Sequence, residues 1–148
     1  QTTDANNKVA KDAALNVPDY NLDQLYGATY DIDLTQPACT VDKETGRVIS
    51  GNRIKNLKIN GVPVKDSDEF TVAINNYRYN GGGGFMKAAG LSSTDPSIVT
   101  YDSGKALGDD GQVRSLMTSY IKKHGEISPE CSKNWTFILG KETQKKAA

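Results

Sequence analysis

Apolar residues at every second position constrain this fold more than any other feature of the sequence. The clearest such run consists of Ala28, Tyr30, Ile32 and Leu34, and Pro37 stops it. A period of two predicts a strand with one face buried and the other in water. Short polar turns separate this run from further apolar segments, which favours a sheet built mostly from antiparallel strands.

Three other segments extend the predicted sheet. The polar turn DKETGR predicts a hairpin over residues 41–48, and Asn-Gly at 60–61 predicts a tight turn after a strand over 54–59. Alternation over 70–74 predicts a further strand. The residues of that strand expected to face the core are Phe70, Val72 and Ile74.

One segment has a helical period instead. Its apolar residues follow the spacing that gives a helix one apolar face, which we interpret as core: Val113, Leu116, Met117, Tyr120 and Ile121. Asp109 or Asp110 would cap its start, and Gly125 would end it. With a short closing strand over 134–138, the predicted fold class is α+β, a mostly antiparallel sheet with one main amphipathic helix.

Composition excludes several functions. The chain has 148 residues, and its 18 basic and 18 acidic side chains balance to a formal net charge of zero. This balance argues against binding a nucleic-acid polymer or an anionic membrane, and no apolar run is long enough to cross a bilayer. The only histidine, His124, falls at the predicted helix C-terminus, where we interpret it as structural. One histidine and two cysteines cannot build a multi-imidazole metal site or a Cys/His zinc cluster.

The ends of the chain differ from its middle. The sequence begins with Gln rather than Met and has no basic-then-apolar leader, so we expect a processed product or an excised piece. Residues 1–14 and 141–148 are polar or charged and predict tails around a domain at 15–140. Cys39 and Cys131 leave two possibilities open, one disulfide as in secreted proteins or two separate thiols.

Residues 70–85, FTVAINNYRYNGGGGF, contain the least ordinary segment. Ordering four consecutive glycines costs conformational entropy, so such a run suits backbone that turns tightly or approaches a ligand closely. Its N–H groups could also contact an anion, although the spacing is not that of a phosphate-binding or dinucleotide-binding loop. A flexible hairpin loop is the alternative. The candidate loop residues are Gly81, Gly82, Gly83 and Gly84.

The residues before the glycines are candidates for ligand contact. On the predicted strand Tyr77 points away from the core, and its flat ring could stack on a planar base. The alternative is an ordinary tyrosine at a strand end. Arg78 could meet a phosphate or a sugar, or pair with an acidic neighbour. Asn76 could hydrogen-bond a base or hold the loop.

Four stretches, in matching order and spacing over residues 17–139, carry a resemblance to a known family. They are YNLDQLYGATYDIDLTQP, GRVI, LKINGVPVKDSDEFTVAINNYRYNGGGGF and SYIKKHGEISPECSKNW, and NNYR-x-NGGGGF is the most specific part. They resemble the C-terminal domain of the 5′-nucleotidase family, most of all its bacterial 2′,3′-cyclic-nucleotide 2′-phosphodiesterase/3′-nucleotidase members.

The resemblance implies a division of labour. In that family a separate N-terminal metallophosphatase domain holds two divalent metal ions, and the C-terminal domain binds the nucleoside. This chain is therefore expected to have no catalytic residue and no cofactor of its own, and to be inactive alone. The family's usual opening strand and helix, upstream of the VPDYN segment, are not in this sequence, so we expect the domain to lack that part.

The resemblance also assigns roles to residues. Two aromatic rings flank the base in the family; Tyr77 matches one and Tyr20 the other, which implies broad tolerance of the base. Related 5′-nucleotidases have GGDGF here, with an Asp that accepts hydrogen bonds from the ribose hydroxyls. Gly83 replaces that Asp and removes a charge that would repel a 3′-phosphate.

The sequence therefore predicts a nucleotide-specificity domain. Its expected ligands are 2′,3′-cyclic nucleotides, 3′-nucleotides and nucleosides, its expected partner is the metallophosphatase domain, and its expected location is extracellular, periplasmic or cell-wall attached. Two alternatives remain at this point, a 5′-nucleotidase specificity domain and a non-enzymatic surface binding or spacer module.

Overall fold

The computed structural model describes residues 2–3, 9–10, 18–128 and 130–140. The chain divides into two compact units, which we call the sheet unit (Gln1–Asp68 with Lys133–Ala148) and the loop unit (Glu69–Ser132). Within the described ranges no helix is long and apolar enough to cross a membrane. Most of the predicted tails, 1–14 and 141–148, fall outside the described residues, and the domain boundaries stay a prediction.

The sheet unit contains all of the described strands. They are β1 (Thr2–Thr3), β2 (Val9–Ala10), β3 (Ala28–Asp33), β4 (Thr40–Val41), β5 (Val48–Ser50), β6 (Ile54–Ile59), β7 (Val62–Pro63) and β8 (Trp135–Ile138). The main sheet has the order β7-β6-β3-β8, while β1 with β2 and β4 with β5 form two-stranded pairs. Its neighbours are antiparallel except for β3 and β8, which run parallel. The predicted α+β class with a mostly antiparallel sheet is confirmed.

Local turn chemistry positions these strands. Asn60 (φ 52°) and Gly61 (φ 77°) both adopt positive φ between β6 and β7, which is the backbone that joins hairpin strands with their natural twist. In the β4–β5 hairpin the Asp42 carboxylate accepts hydrogen bonds from the backbone N–H groups of Glu44 and Thr45. The strands and turns predicted over 41–48 and 54–61 are therefore confirmed.

A bulge explains the irregular apolar spacing of β6. The three residues of β3 from Thr29 to Asp31 face the four residues of β6 from Lys58 to Lys55, so β6 carries one extra residue. Asn56 has φ 52° within that stretch, a conformation that Asn tolerates better than most residues. The extra residue accounts for a three-residue step between Ile54 and Leu57 in a strand that otherwise alternates.

The loop unit is helical in its described part. Its helices are α1 (Asn76–Tyr79), α2 (Phe85–Ala88), α3 (Ser103–Leu107) and α4 (Val113–His124), with 3-10 turns at Gly82–Gly84, Pro96–Ile98 and Gly108–Gly111. The few buried side chains of the described chain are Ala28 and Asp33 in the sheet unit and Arg78 and Met86 in the loop unit.

The predicted strand over 70–74 is wrong. Residues 69–75 have no regular secondary structure, and Phe70, Val72 and Ile74 are about half exposed instead of facing a core. A strand needs a neighbour to satisfy its backbone N–H and C=O groups, and the described part of the loop unit contains no strand. Alternation alone therefore did not make this segment part of a sheet.

The predicted main helix is confirmed as α4, and Gly125 (φ 73°) follows its last residue. Its predicted cap is wrong, because Asp109 and Asp110 belong to the preceding 3-10 turn and Gln112 occupies the N-cap without a side-chain cap bond. The interpretation of its apolar stripe as core is also wrong. All five stripe residues are exposed, and α4 contacts the 3-10 turn that directly precedes it in the chain.

Two smaller expectations concern single residues. His124 lies at the C-terminus of α4, and its ring stacks on that of Tyr120 with centroids 4.2 Å apart. Cys39 and Cys131 are both exposed free thiols. Cys39 lies in the sheet unit and Cys131 in the loop unit.

Candidate functional site

The glycine run forms a compact helical connection rather than a loop at a strand end. The Asn75 side chain caps α1 by accepting a hydrogen bond from the Arg78 backbone N–H at 2.9 Å. The chain then turns at Gly81 and through the 3-10 turn before α2 begins at Phe85. Asn75 therefore fixes where the segment starts, and the glycines join two helices of four residues each.

Backbone geometry gives the reason for glycine at three of the four positions. Gly81, Gly83 and Gly84 have φ of 100°, 74° and 75°, in the left-handed region that side chains with a Cβ rarely adopt. Their conformation satisfies the chain locally, since the Gly84 N–H donates to the Gly81 carbonyl at 3.0 Å.

Gly82 has a different reason, which is close approach. A Cβ added at Gly82 would lie 2.5 Å from Cζ and 2.6 Å from Cδ1 of the Tyr77 ring. The ring of Tyr77 therefore lies directly against the loop backbone, in space that any other residue at 82 would fill. Tyr77 nevertheless remains 52% exposed, so a large part of the ring is open to solvent.

Arg78 lies beneath this arrangement. Its side chain is 8% exposed, and Nη1 donates to the Gly82 carbonyl at 3.2 Å. The guanidinium carbon lies 5.3 Å from the centroid of the Tyr77 ring and 4.7 Å from that of Phe85, both within cation–π range. The sequence suggested a phosphate, a sugar or an acidic neighbour for Arg78. In the structure the contacts of its guanidinium include a backbone carbonyl and two aromatic rings.

Sequence reasoning missed three residues of this site. Phe85 closes the glycine run as the second ring against Arg78, and Asn75 supplies the cap. Tyr79 donates from its hydroxyl to the Ser93 carbonyl at 2.8 Å and ties α1 to a later turn. The cap had a signal in sequence, an Asn just before a helical turn, but the period-two interpretation of 70–74 hid it.

The predicted site residues fall into two groups. Asn76 begins α1, where its carbonyl accepts from the Asn80 N–H at 2.9 Å, so it adjoins Tyr77, Arg78 and the glycines in the loop unit. Tyr20 lies in the sheet unit, on a 3-10 turn at Asp19–Asn21, and is 67% exposed. The structure brings seven of the eight predicted residues together in one segment and places Tyr20 in the other unit.

The chain after Tyr20 is held by another residue that the sequence did not single out. The Asn134 side-chain amide donates to the carbonyls of Leu25 at 2.7 Å and Ala28 at 2.9 Å. Asn134 precedes β8, so the same residue that leads into the closing strand also fixes the segment leading into β3.

Two carboxylates of β3 have lowered pKa values. A hydrogen bond from Thr136, followed by one from Asn56, lowers the pKa of Asp31, and hydrogen bonding from Thr35 lowers the pKa of Asp33. Both shifts have structural partners in or beside the sheet. Among the described residues, no group of three or more His, Cys, Asp and Glu side chains could hold a metal ion.

The fold and the site together define an α+β domain with an aromatic ring set on a glycine-rich turn. Such a feature can offer a flat apolar face beside backbone and amide groups, which suits recognition of a planar polar ligand.

Comparisons with known proteins identify the family. A family model described as the 5′-nucleotidase C-terminal domain matches residues 3–90, which include the whole glycine-rich segment. The chain belongs to this family as its C-terminal domain, and the resemblance seen in the sequence is confirmed. The match begins within the segment that the sequence predicted to be a tail.

Curated relatives point in the same direction. The chain is 37% identical over 123 residues to the trifunctional nucleotide phosphoesterase protein YfkN of Bacillus subtilis, covering 82% of this chain and 8% of that protein. It is 36% identical over 117 residues to a 2′,3′-cyclic-nucleotide 2′-phosphodiesterase/3′-nucleotidase of Yersinia enterocolitica. It is 39% identical over 117 residues to the protein of the same name from Salmonella typhimurium, again covering 78% of this chain and 16% of the relative. No solved structure matched.

These relatives are much longer than this chain, which spans 8% to 17% of their length. Their names describe phosphoesterases, so the family is one of hydrolases.

Proposed function

We propose that this chain is the nucleoside-binding domain of a 2′,3′-cyclic-nucleotide phosphodiesterase/3′-nucleotidase. It stacks the base on Tyr77 and presents the phosphate to a metallophosphatase domain. The observation that carries the proposal is the half-exposed Tyr77 ring seated against Gly82, in the segment that the family model covers. A ring already held in place gives up little freedom when a base stacks on it, and stacking contributes about 1–3 kcal/mol.

The phosphate chemistry in this proposal comes from elsewhere. The described residues offer no metal cluster, so divalent ions would be held by the metallophosphatase domain, where they would polarise the phosphoester and activate water. This chain's own residues bind and orient the nucleoside. In this proposal the whole enzyme works in the extracellular space, in the periplasm or at the cell wall.

Gly83 supports the choice of phosphate position. It lies inside the glycine run at φ 74°. By the family resemblance, it stands where related 5′-nucleotidases have the Asp of GGDGF. Two unit charges 4 Å apart repel by about 1 kcal/mol even in bulk water, so a carboxylate here would disfavour a 3′-phosphate. Its replacement by Gly83 favours 2′,3′-cyclic and 3′-nucleotides over 5′-nucleotides.

Titration of the 148-residue chain with 3′-AMP, followed by amide and tyrosine NMR signals, tests the binding role. We expect saturable shifts at Tyr77 and the glycines. Tyr77→Ala should weaken binding about 5- to 100-fold, and Tyr77→Phe should retain most of it, because the ring carries the stacking.

Tyr101→Ala is the matched control, since Tyr101 is also an exposed tyrosine of the loop unit. Binding that survives Tyr77→Ala unchanged would contradict the proposal. Tyr20→Ala tests the second predicted aromatic by itself. The rival, a non-enzymatic module, is favoured if the upstream reading frame lacks the metallophosphatase motifs D-x-H, GNHE and GH-x-H.

The phosphate preference has its own test. Gly83→Asp and Gly83→Asn place similar shapes at the same positive φ, so their difference isolates the charge. We expect Gly83→Asp to bind 3′-AMP about fivefold or more weakly than Gly83→Asn does, and to bind adenosine, whose ribose hydroxyls are free to donate, at least as well. Equal affinity of the two variants for 3′-AMP would contradict the assigned role of Gly83.

A further inference from the structure

The buried guanidinium of Arg78 needs a structural account. A charged side chain that is only 8% exposed has lost most of its hydration, which is costly unless other groups replace the water. The replacements include the Gly82 carbonyl, which accepts from Nη1 at 3.2 Å, and the faces of two aromatic rings. Planar guanidinium is suited to such partners, because it stacks on rings and donates in its own plane.

These contacts form a closed set. Tyr77 lies against Gly82, Gly82 accepts from Arg78, and the Arg78 guanidinium lies 5.3 Å from the Tyr77 ring. Phe85, at 4.7 Å, holds the guanidinium from the far end of the glycine run. The orientation of the Tyr77 ring and the path of the glycine backbone therefore depend on the same side chain.

Little of Arg78 is left for a ligand. The side chain is buried, and one of its guanidinium donors is already bonded to its own loop. Its position beneath the loop suits a role in which it acts through Tyr77.

We propose that Arg78 is a positioning residue that holds the Tyr77 ring in the orientation needed for stacking. In this role Arg78 does not bind the phosphate of the nucleotide. The inference rests on the proposed function, in which the Tyr77 ring stacks on the base. It differs from a phosphate-binding role in one respect: loss of Arg78 weakens nucleoside and nucleotide equally.

The test compares adenosine with 3′-AMP in NMR titrations of the chain carrying Arg78→Met and Arg78→Lys. We expect both variants to weaken both ligands by the same factor, about fivefold or more, approaching the effect of Tyr77→Ala. Lys keeps the charge but not the planar fork, so it should behave as Met does. Arg114→Met, on the exposed surface of α4, is the matched control.

A ligand-free readout accompanies the titration. The Tyr77 ring should impose a ring-current shift on the Gly82 α-protons, which Tyr77→Ala removes. If Arg78 positions the ring, both Arg78 variants reduce that shift, and if Arg78→Met does not fold, Arg78→Lys decides alone.

The outcomes separate the two proposals. A loss confined to 3′-AMP, or an unchanged Gly82 shift in a folded variant, would overturn the positioning role while leaving the binding role of Tyr77 intact. A wild-type chain that binds neither ligand would count against the proposed function, and the Gly82 shift would still decide whether Arg78 positions the ring.

Discussion

The sheet unit has side-chain hydrogen bonds between segments far apart in sequence, whereas several side-chain hydrogen bonds of the loop unit stay within a single turn. Thr136 donates to the Asp31 carboxylate across 105 positions, and Asn134 reaches Ala28 across 106. In the loop unit, the side chains of Asn75, Asp95 and Asp102 each accept from a backbone N–H two or three residues onward.

The two units show which sequence patterns are enough by themselves to predict an element of secondary structure. A helix satisfies its own N–H and C=O groups, so α4 forms even though its apolar stripe is exposed. A strand depends on a neighbour, so residues 70–74 stay irregular although they alternate as well as β3 does. Periodicity therefore predicted the helix but not its exposure, and its strand predictions were correct only where a partner strand was present.

Proline substitution should give the largest difference in stability between the two units. Ile32→Pro places proline in β3, which pairs on both sides with Ile54 and Phe137, and should cost at least about 3 kcal/mol of the free energy of unfolding. Val72→Pro, in the irregular segment, should cost less than about 0.5 kcal/mol, because it removes no ladder bond.

Chemical denaturation measures both effects. The fluorescence of Trp135, the single tryptophan, monitors unfolding of the sheet, and far-UV circular dichroism monitors the helices. A large loss of stability in Val72→Pro would mean that residues 70–74 pair with a strand in solution.

Truncation of a leucine in each unit should give a difference in stability of intermediate size. Leu57→Ala, on half-buried β6, should cost about 2 kcal/mol, whereas Leu116→Ala, on the exposed stripe of α4, should cost less than about 1 kcal/mol. The two variants remove the same atoms, so the difference in denaturation midpoint reports burial. Equal losses would show that something covers the stripe of α4 in solution.

Acid should produce the smallest change in stability. Trp135 fluorescence reports that change for the sheet unit. The pKa of Asp31 is lowered in the folded chain, first by Thr136 and then by Asn56, so the ionised carboxylate stabilises the fold above about pH 4. That contribution is lost as the pH falls through the lowered pKa. Asp31→Asn should therefore flatten the acid side of the stability curve seen by Trp135 fluorescence.

Asp95→Asn is the matched variant in the loop unit, because hydrogen bonds from Ser97 lower the pKa of Asp95. It should leave the acid response of Trp135 as it was. A response that follows Asp95 instead of Asp31 would contradict the separate accounts of the two units.

Most of the sheet could be predicted because its signals are local. Asn60 and Gly61 mark their turn by residue type, and Pro63 lies on the edge strand β7, where it costs no interior bond. The parallel pairing of Tyr30 with Trp135 could not be predicted, since no local pattern connects positions so far apart.

The candidate site divides in the same way. The glycine run and Tyr77 stand out by composition, and the structure gives those glycines positive φ or close approach. The burial of Arg78 and the part played by Phe85 have no local signal, because they depend on how two helical turns fold over a shared guanidinium.

The parallel pairing of β3 with β8 also governs the order in which the molecule can be made. The entire loop unit is translated between β7 and β8. Strand β3 therefore emerges from the ribosome long before β8, its second neighbour in the sheet, has been made. During that interval β3 has an open edge beside it, the kind of surface to which other chains add strands. A nascent chain halted before Trp135 should therefore be prone to aggregate. Once β8 has emerged, it can pair with β3 and cover that edge.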